Sequence, residues 1–317
     1  MRILITPTSL SRAPDTAALN LLRERGAELI FNPHGRPMTE SELAASLPGV
    51  DGVIAGLDPF SGQALAAADQ LRVIARYGVG YDRVDLDATA SRNITVTNTP
   101  GANGHSVAEL AIGLMFSAAR QIPRASAEVH SGGWPRVQGI ELARRTLGVV
   151  GLGAIGRDVA AMAAGIGMDV VGMDPGLAPE QIRDFGVEPI DDLDELCARS
   201  DVLSLHIPLV ESTRGIIGAD RMARLPADAI IINTARGGLI DEAAAVAALD
   251  EGRLHGVGVD AYESEPPISS RLVGHPKVVA MPHSGAHSEE SVERTAAAAV
   301  ENLLAVLDGG RPPSPVG

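Results

Sequence analysis

Short apolar runs alternate with stretches of helical period along the first hundred residues. The runs favour strands, and the stretches between them favour helices. The predicted strands are Arg2–Thr6, Glu28–Phe31, Gly52–Ala55, Arg72–Ala75 and Ile94–Thr97. The predicted helices are Asp15–Arg25, Thr39–Ser46, Ser61–Ala68 and Leu86–Ser91. This alternation predicts a parallel sheet with helices on both faces.

A longer helical pattern follows, and the alternation then starts again. Apolar spacing predicts a helix over His105–Arg120, whereas Pro and Gly residues predict an irregular arm over Gln121–Leu142. The next predicted strands are Leu147–Val150, Asp169–Met173, Val202–His206, Ala229–Asn233, Gly256–Asp260 and Val278–Met281. The predicted helices are Ala154–Gly167, Leu193–Arg199, Gly218–Leu225, Glu242–Glu251 and Glu289–Leu307. We expect little structure in the tail GGRPPSPVG.

The repeated alternation predicts two α/β domains, each a doubly wound parallel sheet of Rossmann-like or flavodoxin-like type. We expect the last helix to pack on the first domain. Residues 1–99 and 288–317 would then form one domain, and residues 100–287 would be a second domain inserted into it.

The junction between the strand and the helix at residues 146–167 carries a glycine motif. Gly151, Gly153 and Gly156 stand in the order G-x-G-x-x-G. The first glycine permits a tight turn, the second lets the backbone approach a pyrophosphate, and the third lets the helix pack closely on the strand. Amides at the start of the helix then face the phosphates. The motif in this context predicts a dinucleotide-binding unit.

An acidic residue closes the next predicted strand, about twenty residues beyond the motif. This residue, Asp174, is expected to accept hydrogen bonds from the adenosine ribose hydroxyls. A 2′-phosphate would face its carboxylate, and neither Pro175 nor Gly176 supplies a cation. The sequence therefore predicts NAD as the cofactor rather than NADP.

Composition and charge narrow the class of protein and its partners. The 317 residues suffice for two domains, whose cores must use aliphatic side chains because aromatic residues make up only 3%. A net charge of −14 argues against nucleic acid and anionic membranes as partners. The single cysteine, Cys197, indicates a buried thiol in a reducing compartment. With no apolar run long enough for a leader or a membrane span, we expect a cytoplasmic protein.

Three chemically active side chains each follow a late predicted strand. They are Arg236, Glu265 and His283. Open α/β sheets build their sites at the carboxyl ends of strands, so this trio predicts a site for an anionic carbonyl substrate. No further ligand pattern accompanies His283 and His287, and we expect no metal. We expect His105, at the start of a helix, to contact solvent.

Eight segments of the chain match one protein family in that family's order. They are RYGVGYDRVDLDA, VTNTPGANGHSVAEL, WPRVQGIEL, TLGVVGLGAIGRDVA, HIPLVESTRGIIG, INTARGGLIDEAAA, DAYESEPP and MPHSGAH. On these segments the chain resembles the D-isomer-specific 2-hydroxyacid dehydrogenases, in particular their phosphoglycerate-dehydrogenase-like branch. The resemblance implies a substrate-binding domain, an NAD-binding domain and an active site in the cleft between them. It also implies a homodimer formed through the nucleotide domain.

The resemblance implies a role for each residue of the trio. Arg236 would bind the substrate carboxylate and polarise the 2-keto oxygen, His283 would be the acid/base, and Glu265 would hydrogen-bond His283. Imidazole titrates near neutral pH, and a neighbouring carboxylate favours its charged form, so this pair suits protonation of an alkoxide. Backbone amides at Val79 and Gly80 would hold the substrate carboxylate.

The resemblance also completes the expected cofactor site. Asp260 would hold the nicotinamide carboxamide. Besides the three glycines and Asp174, the implied cofactor residues are Ala154, Ile155, His206, Ile207, Pro208, Thr213, Thr234, Ala235, Asp260 and Gly285.

One departure from the phosphoglycerate dehydrogenases bears on the substrate. Where those enzymes place an arginine for the substrate phosphate, this chain has Gly56, with Asp58 close by and only Arg76 or Arg83 to compensate. We also expect the chain to be without the regulatory domain of longer relatives. A short 2-keto acid such as glyoxylate or hydroxypyruvate is therefore expected at least as much as a phosphorylated one.

Other functions stay open from the sequence alone. One is 3-phosphoglycerate dehydrogenase itself, and another is an NAD(H)-sensing binding protein similar to the family's corepressors. A formate oxidiser is disfavoured because those relatives pair the histidine with glutamine, whereas this chain has Glu265.

Overall fold

The computed structural model describes residues 1–316, so Gly317, the last residue of the predicted first domain, lies outside the described residues. The chain divides into two compact units. The first unit comprises Met1–Asn103 and the segment that begins at Ala286, and the second unit comprises Gly104–Gly285. The predicted domain boundaries, after residues 99 and 287, differ from these by a few residues.

The strands and helices are numbered in chain order. The strands are β1 Arg2–Ile5, β2 Glu28–Phe31, β3 Gly52–Ala55, β4 Val73–Arg76, β5 Thr95–Thr97, β6 Thr146–Val150, β7 Asp169–Met173, β8 Glu188–Pro189, β9 Val202–Leu205, β10 Ala229–Asn233, β11 Leu254–Val259, β12 Val278–Ala280 and β13 Pro315–Val316. The helices are α1 Thr8–Arg12, α2 Ala17–Glu24, α3 Glu40–Ser46, α4 Gly62–Leu65, α5 Leu86–Ser91, α6 Gly104–Arg120, α7 Ile122–His130, α8 Ala154–Ile166, α9 Pro179–Asp184, α10 Leu193–Arg199, α11 Ala219–Met222, α12 Glu242–Asp250 and α13 Glu289–Leu307.

The first unit is a six-stranded sheet in the order β13-β5-β4-β3-β1-β2. Its central strands are apolar at successive positions because both faces are buried. Leu4 packs with α3, α4 and α5 on one face, whereas Ile3 and Ile5 pack with α1, α2 and α13 on the other. The prediction that the last helix packs on the first domain is therefore confirmed.

The second unit is a seven-stranded parallel sheet in the order β12-β11-β10-β9-β6-β7-β8. Side chains of α6 and α8 cover one face, and those of α10, α11 and α12 cover the other. The chain leaves β6 toward β7 on one side and later returns to β9 on the other. The gap between the ends of β6 and β9 is the topological switch point, where open α/β sheets bind ligands.

The prediction of an irregular arm over residues 121–142 is wrong for the first half of this segment, which forms α7. Gln121 has a φ of +50° and separates this helix from α6, and Pro123 lies in the first turn, where its missing N–H is tolerated. Gly132, with a φ of +86°, follows the helix end. The Pro and Gly residues therefore delimit a short helix rather than exclude one.

The tail is also more ordered than predicted. Pro315 and Val316 pair antiparallel with Thr97 and Val96 at the edge of the first sheet. The amide of Ser314 donates to Asn302 Oδ1 at 3.0 Å. Proline is compatible with an edge strand, because a backbone nitrogen on the unpaired side of the strand donates no ladder hydrogen bond.

The other differences from the prediction are the two-residue strand β8, which was not predicted, and several short helices. α1 and α9 were not predicted, and the helices predicted over 61–68 and 218–225 contract to α4 and α11. Elements of four to six residues carry little periodic signal, so contacts in the folded chain decide where they begin and end.

Candidate active site

The glycine motif forms the turn between β6 and α8. Gly151 has a φ of +92°, and a Cβ there would lie 2.7 Å from the His206 carbonyl oxygen. A Cβ on Gly156 would lie 2.0 Å from the Gly151 carbonyl oxygen. A Cβ on Gly153, the N-cap of α8, would meet no heavy atom of the described chain within 4 Å. Packing therefore requires a glycine at Gly151 and at Gly156. Gly153 faces open space at the start of α8, where a pyrophosphate can bind.

The acid beyond β7 is fixed against this turn. Asp174 Oδ2 accepts from the Leu152 amide at 2.8 Å, and its Oδ1 accepts from the Gly176 amide at 2.9 Å. The carboxylate is therefore held beside the glycine turn by backbone contacts. Each ionised oxygen can accept further hydrogen bonds, so the arrangement leaves acceptors for ribose hydroxyls.

The loop after β9 borders the same turn. The His206 amide donates to the Val150 carbonyl at 2.8 Å, and its Nε2 lies 2.8 Å from Ser204 Oγ. Burial lowers the pKa of His206 to about 4, so the imidazole is neutral at physiological pH. Thr213 Oγ1 donates to the Pro208 carbonyl at 2.8 Å, which closes the loop on itself.

The turn after β10 presents Arg236. Asn233 Oδ1 accepts from the Ala235 amide at 3.0 Å, and Asn233 Nδ2 donates to the Arg236 carbonyl at 2.7 Å. Thr234 Oγ1 is buried and has no hydrogen-bond partner among the described residues. Such a hydroxyl is costly to bury unless a ligand completes it, so Thr234 fits the predicted cofactor site. Sequence reasoning missed Asn233, whose only signal is an amide at the end of an apolar strand.

His283 and Glu265 form a hydrogen-bonded pair. The distance between His283 Nδ1 and Glu265 Oε1 is 2.8 Å. An ionised carboxylate only accepts, so Nδ1 donates and Nε2 is the nitrogen left for proton exchange with a ligand. The imidazole side chain keeps 27% of its surface exposed and the glutamate 14%. The pair is thus partly desolvated yet reachable, as an acid/base requires.

The loop that carries His283 is clamped by Asp260. This residue is 2% exposed, and its two carboxylate oxygens accept from the amides of Ser284 and Gly285, both at 2.8 Å. Ser106 Oγ on α6 donates to the Gly285 carbonyl at 2.6 Å. Asp260 therefore has a structural role that its predicted contact with the nicotinamide did not include. Nothing in the sequence pattern singled out Ser106.

The predicted substrate loop of the first unit is held through its carbonyl groups. Asn98 Nδ2 donates to the Val79 carbonyl and Arg76 Nε donates to the Gly80 carbonyl, each at 2.9 Å. Arg76 is 4% exposed and also donates to the Ala55 carbonyl. Nearby, Asp58 is fully buried between Thr6 and the Met38 amide, and burial raises the pKa of its carboxyl group.

The surroundings of two other candidate side chains, His105 and Cys197, do not indicate a catalytic role. His105 is exposed, with Glu109 at 3.5 Å and Asp158 at 3.4 Å. Burial raises the pKa of Cys197 to about 11, which confirms a structural thiol. Within residues 1–316 we find neither a cluster of three potential metal-binding side chains nor a helix with the length and apolarity to cross a membrane.

Comparison with known proteins connects this geometry to a family. Residues 112–285 match the model of the "D-isomer specific 2-hydroxyacid dehydrogenase, NAD binding domain". The chain is 42% identical over 275 residues to D-3-phosphoglycerate dehydrogenase of Methanocaldococcus jannaschii, covering 86% of this chain and 52% of that protein. It is 39% identical over 299 residues to hydroxypyruvate reductase of Thermotoga maritima, covering 92% and 95%.

A solved structure shares the fold over its full length. The TT0316 protein of Thermus thermophilus superposes with a TM-score of 0.84 at 37% identity, with both chains fully covered. The present chain spans about half of the length of the phosphoglycerate dehydrogenases it matches. The chain belongs to the D-isomer specific 2-hydroxyacid dehydrogenase family, and its match to that family's NAD-binding domain supports NAD as its cofactor.

Proposed function

We propose that this protein is an NAD-dependent dehydrogenase that interconverts a D-2-hydroxy acid and its 2-keto acid. The observation that carries the proposal is the hydrogen bond of 2.8 Å between Glu265 and His283, in the unit that also holds the glycine turn. A dinucleotide turn alone supports binding, whereas a partly exposed imidazole with a carboxylate partner supports proton transfer as well.

The roles of the side chains follow from their chemistry. NAD, which the glycine turn and Asp174 would hold, would supply the hydride for reduction at C2 of the substrate or accept it in oxidation. In reduction, His283 Nε2 donates a proton to the carbonyl oxygen, and the same nitrogen removes it in oxidation. Arg236 binds the substrate carboxylate with its planar guanidinium and stabilises negative charge on the carbonyl oxygen. The role of the Val79 and Gly80 amides in binding a substrate carboxylate, which the resemblance implies, stays a prediction.

The proposed substrate is a short, unphosphorylated 2-keto acid. Gly56 offers no cation, Asp58 places a buried carboxyl nearby, and Arg76 is buried with two carbonyl partners. A phosphate there would gain no exposed guanidinium from Arg76. The Thermotoga relative is named for hydroxypyruvate, a compound of this class.

An assay of NADH oxidation with a panel of 2-keto acids tests the proposal. Glyoxylate, hydroxypyruvate and pyruvate should be turned over, each more efficiently than 3-phosphohydroxypyruvate. Tight NADH binding with no turnover on any acid would favour an NAD(H)-sensing protein instead. NADPH should be a poor substitute because its 2′-phosphate would meet Asp174, and comparable turnover with NADPH would refute that assignment.

Changing Glu265 to glutamine should alter the pH dependence of reduction. The neutral amide can still accept the Nδ1 hydrogen bond, but it stabilises a charged imidazolium less than a carboxylate does. The alkaline limb of the pH profile for kcat should therefore move to lower pH, because the variant has no negative charge beside the imidazole. An unchanged profile would remove Glu265 from this role.

We further propose that two copies of the chain associate through α6 and α7. These helices line a groove of about 610 Å³, and the apolar residues Phe116, Ile122 and Val129 are 38–49% exposed there. Trp134, just beyond α7, is 81% exposed. Contiguous exposed apolar surface of this kind marks association sites.

Val129→Asp should convert the dimer into a monomer, since each interface would bury an added carboxylate. Sedimentation should give twice 32.8 kDa for the wild type and that single mass for the variant. Leu21→Asp, at an exposed leucine of α2, is the matched control and should stay dimeric. A monomeric wild type, or a dimer that Val129→Asp leaves intact, would contradict this interface.

A further inference from the structure

Tyr262 lies where the loops that carry Arg236, Glu265 and His283 approach one another. It follows β11 by three residues and is 7% exposed. Buried phenols are retained where their hydroxyl finds an acceptor. Each of the three loops makes a separate backbone or side-chain contact with this one residue.

The first contact is with Glu265. The Tyr262 amide donates to Glu265 Oε1 at 3.2 Å, and the same oxygen accepts from His283 Nδ1 at 2.8 Å. The amide therefore restricts the rotation of the carboxylate that orients the imidazole. Without it, Glu265 would have more freedom to turn away from His283.

The second contact is with the loop of His283. The Tyr262 hydroxyl donates to the Met281 carbonyl at 2.6 Å, and the His283 amide donates to that carbonyl at 3.0 Å. His283 has a φ of +52°, in a backbone region that residues other than glycine and asparagine seldom adopt. A non-glycine residue keeps such a conformation only when neighbouring contacts impose it. Burial and the charge of Asp260 raise the pKa of Tyr262 to about 12, so the hydroxyl remains a donor.

The third contact is with the loop of Arg236. A Cβ built on Gly237 would lie 2.0 Å from the Tyr262 carbonyl carbon and 2.4 Å from its Cα. The backbone next to Arg236 thus packs directly against the backbone of Tyr262. Displacement of Tyr262 would be felt on the Arg236 side as well as in the Glu265–His283 pair.

We propose that Tyr262 is a positioning residue that sets the geometry of the Glu265–His283 pair. Its kinetic consequence rests on the proposed dehydrogenase function, but its structural consequence does not. The amide and the hydroxyl act from opposite ends of the pair: one fixes the carboxylate and the other fixes the backbone that bears the imidazole.

Tyr262→Phe tests the proposal because it keeps the ring and removes only the hydroxyl. We expect kcat for 2-keto acid reduction to fall about tenfold through misplacement of the imidazole, with the Kd of NADH unchanged within about twofold. A second readout needs no turnover. The Nδ1 proton of an imidazole bonded to a carboxylate resonates far downfield in the proton NMR spectrum, and its loss in His283→Gln assigns it. In Tyr262→Phe this resonance should move upfield and broaden.

Tyr77→Phe is the matched control. Tyr77 is also a largely buried phenol that donates to a backbone carbonyl, that of Val292 at 3.3 Å, and burial likewise raises its pKa to about 12. This variant should lose comparable thermal stability while the downfield resonance stays in place. An unmoved resonance in Tyr262→Phe, or an equal change in Tyr77→Phe, would overturn the proposal. A wild type that turns over no 2-keto acid but shows the Tyr262-dependent resonance would refute the proposed function alone.

Discussion

Changing His283 to glutamine should lower kcat for 2-keto acid reduction by about 10²- to 10⁴-fold, the usual contribution of a positioned general acid. Glutamine has a similar reach and can still meet Glu265, but its amide does not release a proton near neutral pH. The affinity for NADH should change little, because His283 lies on a different loop from the glycine turn between β6 and α8. Steady-state kinetics together with NADH fluorescence titration separates the two effects.

His275 provides the control for this change. It also faces a carboxylate, with its Nε2 at 3.4 Å from Asp250 Oδ1, but it precedes β12 at the amino ends of the strands. His275→Gln should therefore leave kcat within about twofold of the wild type, because His275 and His283 lie at opposite ends of β12 and sites form at the carboxyl ends. A His283 variant that retains more than a tenth of the wild-type kcat would exclude the imidazole as the acid.

The parts of this site that could be predicted from the sequence depend on local spacing. Gly151, Gly153 and Gly156 are recognisable because the turn, the helix start and the close packing each need a glycine at a fixed offset. Asp174 is recognisable because one helix and one strand, α8 and β7, separate it from the motif. The structure gives these residues the packing that their spacing indicates: two glycines leave no room for a Cβ and one faces open space.

The contacts that orient the Glu265–His283 pair could not be predicted in the same way. Asp260 clamps amides 24 and 25 residues further along the chain, and Ser106 reaches a carbonyl 179 residues away. No periodicity relates such positions, because the sheet brings them together only when all strands are in register. The positioning role of Tyr262 could not be predicted either, since a tyrosine after a strand is equally compatible with ordinary core packing.

The resemblance and the structure indicate two different roles for Asp260. The resemblance assigns it to the nicotinamide carboxamide, whereas the structure shows both of its oxygens holding the backbone of Ser284 and Gly285. The two roles are compatible because each carboxylate oxygen can accept more than one hydrogen bond. Asp260 would then couple the arrival of the cofactor to the position of the His283 loop.

Gly156→Ala should destabilise the second unit and abolish measurable NADH binding. Its Cβ would lie 2.0 Å from the Gly151 carbonyl oxygen, which is backbone and cannot move aside as a flexible side chain can. Overpacking of this kind costs typically about 1–3 kcal/mol, and we expect the upper part of that range because α8 must shift away from β6. Thermal unfolding and NADH titration of the same sample measure both effects.

Gly153→Ala separates the packing role from the binding role. Gly153 has a φ of −67°, which alanine adopts readily, and an added Cβ meets no heavy atom of the described chain within 4 Å. The variant should therefore unfold at the wild-type temperature yet bind NADH at least about tenfold more weakly, a loss of about 1.4 kcal/mol. The methyl group would occupy the space that a pyrophosphate needs beside the first amides of α8. Unchanged NADH affinity in Gly153→Ala would show that the dinucleotide does not cross this turn. A Gly156→Ala variant with wild-type stability would show that the second unit does not depend on the close contact between β6 and α8 for its stability.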